Sequence, residues 1–485
     1  MELKSLYIKN YKMLKNQYIE FIPSDGYPDY YHNYFKKNNF TVLVGENGTG
    51  KTTLMSFISN IFKNLHRYHN RIASDFNLKY YYRTSDNNKR LINLKKEDEN
   101  IFVSIEEYIS DALLLEYDIR KREYVVKNNQ KKYKKNITYD EIRRFLPTKV
   151  IASIFSIHNE YEDYYHNTIG DRLVDYYDIA SIYGANHYNF RSLSKGISRF
   201  IEIVLEDSHK SSNFLESMNL KYGGQVLIRL RENISLFKFL KEDEESLSNY
   251  KEYLKVEEFI KDSTSQLFNN DPEAIWLNIN IGNYNKLIEY EEKGLIYIND
   301  IKFQKGESAI SLGNMSSGEK MIFIRILSIL SSVSDNAIIL IEEPELHLNP
   351  SWSKQIITML QMLFSEYKVH FIIATHSQEF INTVFPENIL LSNKNGFTKL
   401  ESDINTFLAQ EIEINNIFFE NNKKLNIIEK ILWEEIAKAN EEELKKILNY
   451  LGESYTKLKV FNILLSKLDE NENLERLDED KDVED

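Results

Sequence analysis

The run Gly45-Glu46-Asn47-Gly48-Thr49-Gly50-Lys51-Thr52 constrains this chain more than any other stretch of its length. It fits G-x-x-x-x-G-K-[ST], a loop whose backbone N–H groups turn inward around a β-phosphate. The flanks suit the pattern. Phe40–Val44 is a short β-rich apolar run and reads as a buried strand. After the loop, Leu54, Phe57, Ile58, Ile61, Phe62 and Leu65 recur at helical spacing. Strand, glycine loop and helix in succession make an anion site, because the helix start adds free N–H groups and a favourable dipole. Gly45, Gly48 and Gly50 permit the turn, with Asn47 and Thr49 between them. In this reading Lys51 bridges β- and γ-oxygens, Thr52 ligates Mg2+ and Thr53 donates to the α-phosphate.

A second feature lies far downstream. Ala337–Ile341 is an apolar strand pattern that runs straight into Glu342-Glu343-Pro344-Glu345. Carboxylates at a buried strand tip are costly unless something there needs negative charge. Successive strand residues face opposite sides, so the two glutamates divide the work. Glu342 is assigned to the magnesium and Glu343 to the attacking water.

Composition narrows the remaining choices. With no cysteine among 485 residues, thiolate catalysis, a disulfide scaffold and Cys-ligated metal sites are excluded. No histidine pair shows a metal-site spacing. The most apolar helical stretch, 321–330, is about half a membrane span and contains Arg325, so no membrane contact and a cytoplasmic location are expected. The net charge of −13 is uneven: 469–485 carries ten acids against Arg476 and Lys481. That stretch is expected as an acidic disordered tail.

The order of motifs resembles a family. Phosphate loop, Ser316-Ser317-Gly318-Glu319-Lys320, the strand ending in Glu-Glu-Pro-Glu, and Ala374-Thr375-His376-Ser377 look like an ABC-type ATPase head of the SMC-like class. The resemblance implies an α/β P-loop head with a compact helical insertion and a C-terminal helical extension. It implies that Ser316, Ser317, Gly318 and Glu319 close in trans over the γ-phosphate of ATP held by a second copy. It also implies that His376 is the switch histidine, catalytic together with Glu343 and Lys51. Helix physics agrees for the serine loop, since a hydroxyl and free N–H groups at a helix start attract anions. The plain alternative is an ordinary Ser-capped helix with a Glu capping box. Lys12, in Asn10-Tyr11-Lys12, resembles the N-terminal basic position of such heads; its plain alternative is a surface lysine. Two departures stand out: Glu342 replaces the usual Asp, and no glutamine comes after the strand pattern 148–155, where Ser156-Ile157-His158-Asn159 stands instead. His347 reads as structural.

Insertion length refines the resemblance. Thr52 and Ser316 are too close for a long-armed SMC protein and too far apart for a transporter head. A compact lid is similar to the ATPase subunits of Septu-type and PARIS-type anti-phage systems. The expected organisation is 1–165 head, 166–272 helical lid, 273–400 second part of the head, 401–468 helical region, then the tail. The implied partners are a second head, a higher homo-oligomer and a separate effector, a nuclease, since no nuclease constellation lies in this chain. Nucleic acid is a further candidate partner. Residues 120–135 hold eight cations with Tyr124 and Tyr133 between them, a solvated hairpin first and a phosphate-contacting one second. The competing function is a DNA-repair or maintenance ATPase that clamps DNA. A transporter ATPase is a third and poorer reading, since no membrane segment is expected and the lid does not suit one, and an ATP-binding scaffold without hydrolysis is a fourth.

Overall fold

The computed structural model describes residues 1–479 except 24–25, 28–30, 36, 66–70, 85–88, 99, 107–112, 119–122, 128–135, 138–144, 155–173, 179–187, 207, 231–243, 265–274, 347, 401–403, 405, 410–426 and 453. The chain divides into two compact units, Met1–Ile414 and Asn415–Asp485.

Among the described residues, three sheets build the first unit. The largest is antiparallel, in the order β2-β1-β4-β5-β6-β7-β8-β9. Its strands are β1 (Glu2–Tyr11), β2 (Leu14–Glu20), β4 (Phe76–Arg83), β5 (Lys89–Glu97), β6 (Asn100–Glu106), β7 (Leu113–Asp118), β8 (Glu123–Lys127) and β9 (Asn136–Ile137). The region from 76 onward is thus a run of hairpins. Of the basic stretch 120–135, only 123–127 falls within the described residues, as a strand.

The second sheet positions the candidate site. It runs β11-β10-β16-β17-β3-β18-β19, with β3 (Asn39–Val44), β10 (Val150–Ile154), β11 (Val174–Asp178), β16 (Ile338–Glu342), β17 (His370–Thr375), β18 (Ile389–Asn393) and β19 (Gly396–Lys399). All pairings but the last are parallel. Every residue of β3, β10, β16 and β17 is buried. That is why these strands read as continuous apolar runs. Helix α2 (Lys51–Leu65) comes directly after β3, and short α1 (Tyr31–Phe35) precedes it.

The third sheet is antiparallel, β13-β12-β14-β15, from β12 (Lys221–Leu230), β13 (Ile275–Asn278), β14 (Ile296–Lys305) and β15 (Ser308–Ser311). It packs with α3 (Tyr188–Glu206), α4 (Ser208–Ser217), α5 (Glu244–Ser263) and α6 (Tyr284–Glu292). Phe200, Phe214, Phe303 and Phe323 meet there at centroid distances of 4.8–6.3 Å. Phe323 belongs to α7 (Ser317–Ser332), so this sheet supports the serine-loop helix. The stretch 166–272 is therefore not all helix: β11 joins the head sheet and β12 the third sheet. Val226 and Ile228 alternate inward along β12, a two-residue period inside a Leu- and Lys-rich context that reads as helix.

Beyond β16 lie α8 (Pro350–Ser353), α9 (Ile356–Phe364) and α10 (Gln378–Ile381). Asn349 caps α8 by accepting from Trp352 N at 2.9 Å, as Asn-Pro predicts. Among the described residues no helix is long and apolar enough to cross a membrane.

The second unit holds α11 (Ile427–Lys438), α12 (Glu441–Tyr450) and α13 (Tyr455–Glu479) around Ile436, Leu444, Ile447, Val460 and Leu464. Asn440 caps α12, with Glu443 completing a capping box. The helix ends on extended backbone at Leu451. The acidic stretch expected to be disordered from 469 is helical through Glu479; 480–485 lies outside the described residues.

His370 ties the first two sheets together. Its Nδ1 accepts from Leu3 N at 2.9 Å, so Nε2 carries the proton and donates to Thr41 Oγ1 at 2.9 Å. Burial pushes the imidazole down from 6.5 to about 3. Between those two values only the unfolded chain takes the proton, so stability falls as pH drops through this window. Urea unfolding of the protein should lose about 2 kcal/mol between pH 7 and pH 5 from this one group. His370→Gln should show a shallower pH slope; an unchanged slope excludes this group as the source.

Candidate active site

Strand register assembles the site. Thr375 pairs with Val44 and Ala374 with Glu342. The next residues, His376, Gly45 and Glu343, therefore emerge together at the carboxyl ends of three adjacent strands. Ligands of open α/β sheets bind at such ends.

The loop itself needs its glycines. Gly45 has φ +157°, and a Cβ there would lie 2.1 Å from Ser392 O, because β18 runs alongside β3. Gly50 has φ +99°, and its Cβ would press on Leu14 and Met13 at 3.2 and 3.3 Å. The β1–β2 turn thus abuts the loop. Lys12 sits in that turn with φ +49°, its ammonium 5.6 Å from the Tyr11 ring. Asn47 and Gly48 are exposed at the tip. Thr49 is buried, donates to Glu46 O at 2.8 Å and accepts from Ser392 Oγ at 2.8 Å, which pins the loop to β18. Thr52 is half-buried and Thr53 buried in the first turn of α2.

Lys51 joins the loop to His376 and Glu343. Its ammonium donates to Gly45 O at 2.7 Å and Glu46 O at 2.9 Å, and lies 3.3 Å from His376 Nδ1. An ammonium only donates, so Nδ1 accepts and Nε2 carries the proton toward Glu343 Oε1, 3.1 Å away. The result is a Lys51–His376–Glu343 chain. Burial lowers Lys51 to about 8, against the pull of Glu343, Glu345 and Glu46. The His376 hydrogen bond holds Glu343 below the usual carboxylate range.

Glu343 itself has φ +39°, a left-handed backbone that a non-glycine residue adopts at some cost. Its N–H donates to Ala374 O at 2.8 Å, which locks the turn onto β17. Glu345 fastens the histidine loop from below. Its Oε1 accepts from Thr375 Oγ1 at 2.6 Å and His376 N at 2.8 Å.

Beneath the acids lies a group the motifs did not single out. Arg325 of α7 is buried and donates to Glu342 O at 3.0 Å. Burial lowers it to about 10, while Glu345, Glu342 and Glu343 hold it up. A lone arginine in an otherwise apolar helix was the available signal, since a buried charge must find partners. In sequence it bore only on the membrane question. Glu345 and Ser392 carried no such signal, because their partners are remote in the chain.

Ser316 and Glu319 form a full capping box. Glu319 N donates to Ser316 Oγ at 3.4 Å, and Ser316 N and Oγ donate to Glu319 Oε2 at 3.0 and 2.7 Å. Lys305 pairs with the other carboxylate oxygen at 2.5 Å. Ser317 is exposed and Gly318 half-exposed at the helix start. The capping box is thus present, and Ser317 and Gly318 stand at the helix start. His347 and 156–159 lie outside the described residues.

Three carboxylates, Glu342, Glu343 and Glu345, face two cations, Arg325 and Lys51. Glu345 Oε2 is buried with no hydrogen-bond partner among the described residues. This acid-rich end fits a divalent cation. Among the described residues no group of three or more acids and histidines forms a cation cage.

A family model described as AAA ATPase domain matches residues 1–381. The chain belongs to this AAA ATPase domain family. ATP binding and the ATPase class come with the family. The chain is 24% identical over 394 residues to the Retron Vc95 probable ATPase of Vibrio cholerae serotype O1 biovar El Tor, covering 74% of this chain and 70% of the relative. It is 36% identical over 108 residues to the Retron Ec83 probable ATPase of Escherichia coli, covering 20% and 19%. Neither relative is by name a Septu-type or PARIS-type subunit. Among solved structures, an SMC head bound to the C-winged helix domain of ScpA aligns with TM-score 0.35 and 14% identity, over 83% of this chain and 98% of that one. The SMC head domain from Thermotoga maritima aligns with TM-score 0.34 and 14% identity, over 83% and 100%.

Proposed function

We propose that this AAA ATPase hydrolyses ATP, dimerises head to head around it, and regulates a separate effector in anti-phage defence. The observation that carries the reading is the Lys51–His376–Glu343 chain at the mouth of the phosphate loop. The retron ATPase relatives support the defence setting. The effector is proposed as a nuclease encoded beside this chain, and the complex as a cytoplasmic homo-oligomer.

The residues divide the chemistry among themselves. The N–H groups of Gly48 to Thr52 bind phosphate, and Lys51 carries positive charge to the β- and γ-oxygens. Glu343 accepts the proton of the attacking water, and the His376 N–H orients that carboxylate. Thr52 and Glu342 would hold Mg2+, which supplies charge neutralisation between the phosphates. Ser316 and Glu319 are committed to each other, so Ser317 and the Ser317 and Gly318 N–H groups are what one copy offers the γ-phosphate of its partner. Each triphosphate then touches both copies, and its cleavage removes the bridge. The DNA-clamp reading keeps Lys12 and 120–135 as its residues.

Lys51→Ala tests the reading at its base. ATP affinity, measured by titration of the full chain with a fluorescent ATP analogue, should fall by about tenfold or more. Protection of cells carrying the chain with its neighbouring genes should vanish with it. Undiminished affinity and phosphate release in Lys51→Ala would refute the assignment of this loop.

A further inference from the structure

The sheet end opposite the phosphate loop carries a second pocket. It is a cavity of about 240 Å3 lined by Glu2, Tyr27, His32, Tyr81, Arg83 and Lys89. Asn39, the first residue of β3, also borders it. Gly45 lies at the other end of that strand, roughly 20 Å away at about 3.3 Å per residue. The pocket is thus separate from the ATP site.

Its chemistry is cation and ring. Glu2 Oε1 accepts from Arg83 Nη2 at 2.8 Å and Nε at 3.2 Å, and Lys89 Nζ lies 2.6 Å from Glu2 Oε2. One carboxylate therefore orients two cations and leaves a net positive charge. A guanidinium has five N–H donors and an ammonium three, so both retain donors for a further anion. Lys89 Nζ also stands 4.0 Å from the Tyr81 ring centre, and Lys4 Nζ donates to the Tyr81 hydroxyl at 3.2 Å. A third ammonium thus holds the Tyr81 hydroxyl.

Tyr27 brings a buried hydroxyl to the pocket. Its ring stacks on Tyr31 at 4.0 Å and 10°. The Tyr31 hydroxyl already accepts from Phe40 N at 3.2 Å and Asn388 Nδ2 at 3.1 Å, which fills its two acceptor sites. Tyr27 Oη is buried beside the Tyr31 hydroxyl and makes no hydrogen bond of standard geometry among the described residues. A buried donor left unpaired costs free energy that a bound acceptor would recover.

We propose that this pocket binds a 5′-phosphorylated nucleoside, as a free nucleotide or as the end of an oligonucleotide. The phosphate meets Arg83 and Lys89, the Tyr27 hydroxyl donates to the ligand, and the Tyr27 face turned away from Tyr31 offers a ring surface to the base. A simple anion would use the cations but not the rings, and a neutral nucleoside the reverse.

The test is titration calorimetry of the full chain with 5′-phosphorylated dithymidylate, unphosphorylated dithymidylate and thymidine 5′-monophosphate. Lys51→Ala serves as the parallel protein in which the phosphate loop is disabled. The phosphorylated dinucleotide should bind equally to both. Its affinity should fall about tenfold or more in Lys89→Glu and about fivefold in Tyr27→Phe, which removes one hydroxyl and no bulk. Tighter binding of the phosphorylated dinucleotide than of the monophosphate assigns the pocket to chain ends; equal binding assigns it to free nucleotides. Equal affinity for the two dinucleotides, or no loss in either a folded Lys89→Glu or Tyr27→Phe, overturns the proposal.

Discussion

Glu343→Gln should lower phosphate release at saturating ATP by about 10^2- to 10^4-fold while leaving ATP bound. The amide keeps the shape of the carboxylate but cannot take the proton of water. It can still accept from His376 Nε2, now 3.1 Å from Glu343 Oε1. The loop contacts of Lys51 to Gly45 O and Glu46 O do not involve Glu343, so binding should survive. Single-turnover phosphate release and nucleotide retention on a sizing column measure the two halves. The same variant should accumulate a dimer in ATP, because in the proposed shared site the bridging γ-phosphate persists. A wild-type rate would remove Glu343 from the chemistry, and loss of ATP binding would make it a binding residue instead.

Arg325→Met should cost about 3–5 kcal/mol, the usual penalty for removing one partner of a buried charge group. The arginine is 4% exposed and stands against the Glu342 carbonyl, with Glu345 and Glu343 close enough to stabilise its charge. Methionine fills much of the same volume, so the loss reports charge rather than a cavity. Urea unfolding at neutral pH reads it directly. Adding Glu345→Gln should recover part of the loss, because one uncompensated carboxylate disappears. A cost below about 1 kcal/mol, the range of an exposed ion pair, would mean the acids do not need this cation.

Much of the site was legible because its groups sit next to strand ends. A strand buried on both faces is written as an apolar run, and the residues just past its carboxyl end stand at the rim of the sheet. Val44, Ile341 and Ala374 mark such runs, with Gly45, Glu343 and His376 shortly beyond them. Local capping was legible too: Asn440 with Glu443, and Ser316 with Glu319, are three residues apart and satisfy each other. The hidden features depend on pairing between distant segments. Nothing near Leu3 announces that its N–H meets His370, or that β1 pairs with β4 across the whole phosphate-loop helix. Thr49 gives no hint of Ser392, and Glu345 none of Thr375. The strand β12 was obscured by helix-forming neighbours, since tertiary pairing with β13 and β14 outweighs local propensity. The same holds for the second pocket, whose residues come from four separated stretches between Glu2 and Lys89.

The central claim is that each ATP is shared between two copies, loop from one and serine helix from the other. Mixing two inactive variants tests it most directly. Lys51→Ala disables the loop, and Gly318→Asp sets a carboxylate against the γ-phosphate while suiting a helix start. Each alone should be inactive. In a mixed dimer one site pairs the intact loop of one copy with the intact serine helix of the other. An equimolar mixture should therefore regain roughly a quarter of wild-type phosphate release, since half the dimers are mixed and one of two sites works. A mixture as inactive as its two components, with mixed dimers shown to form, would contradict the shared site.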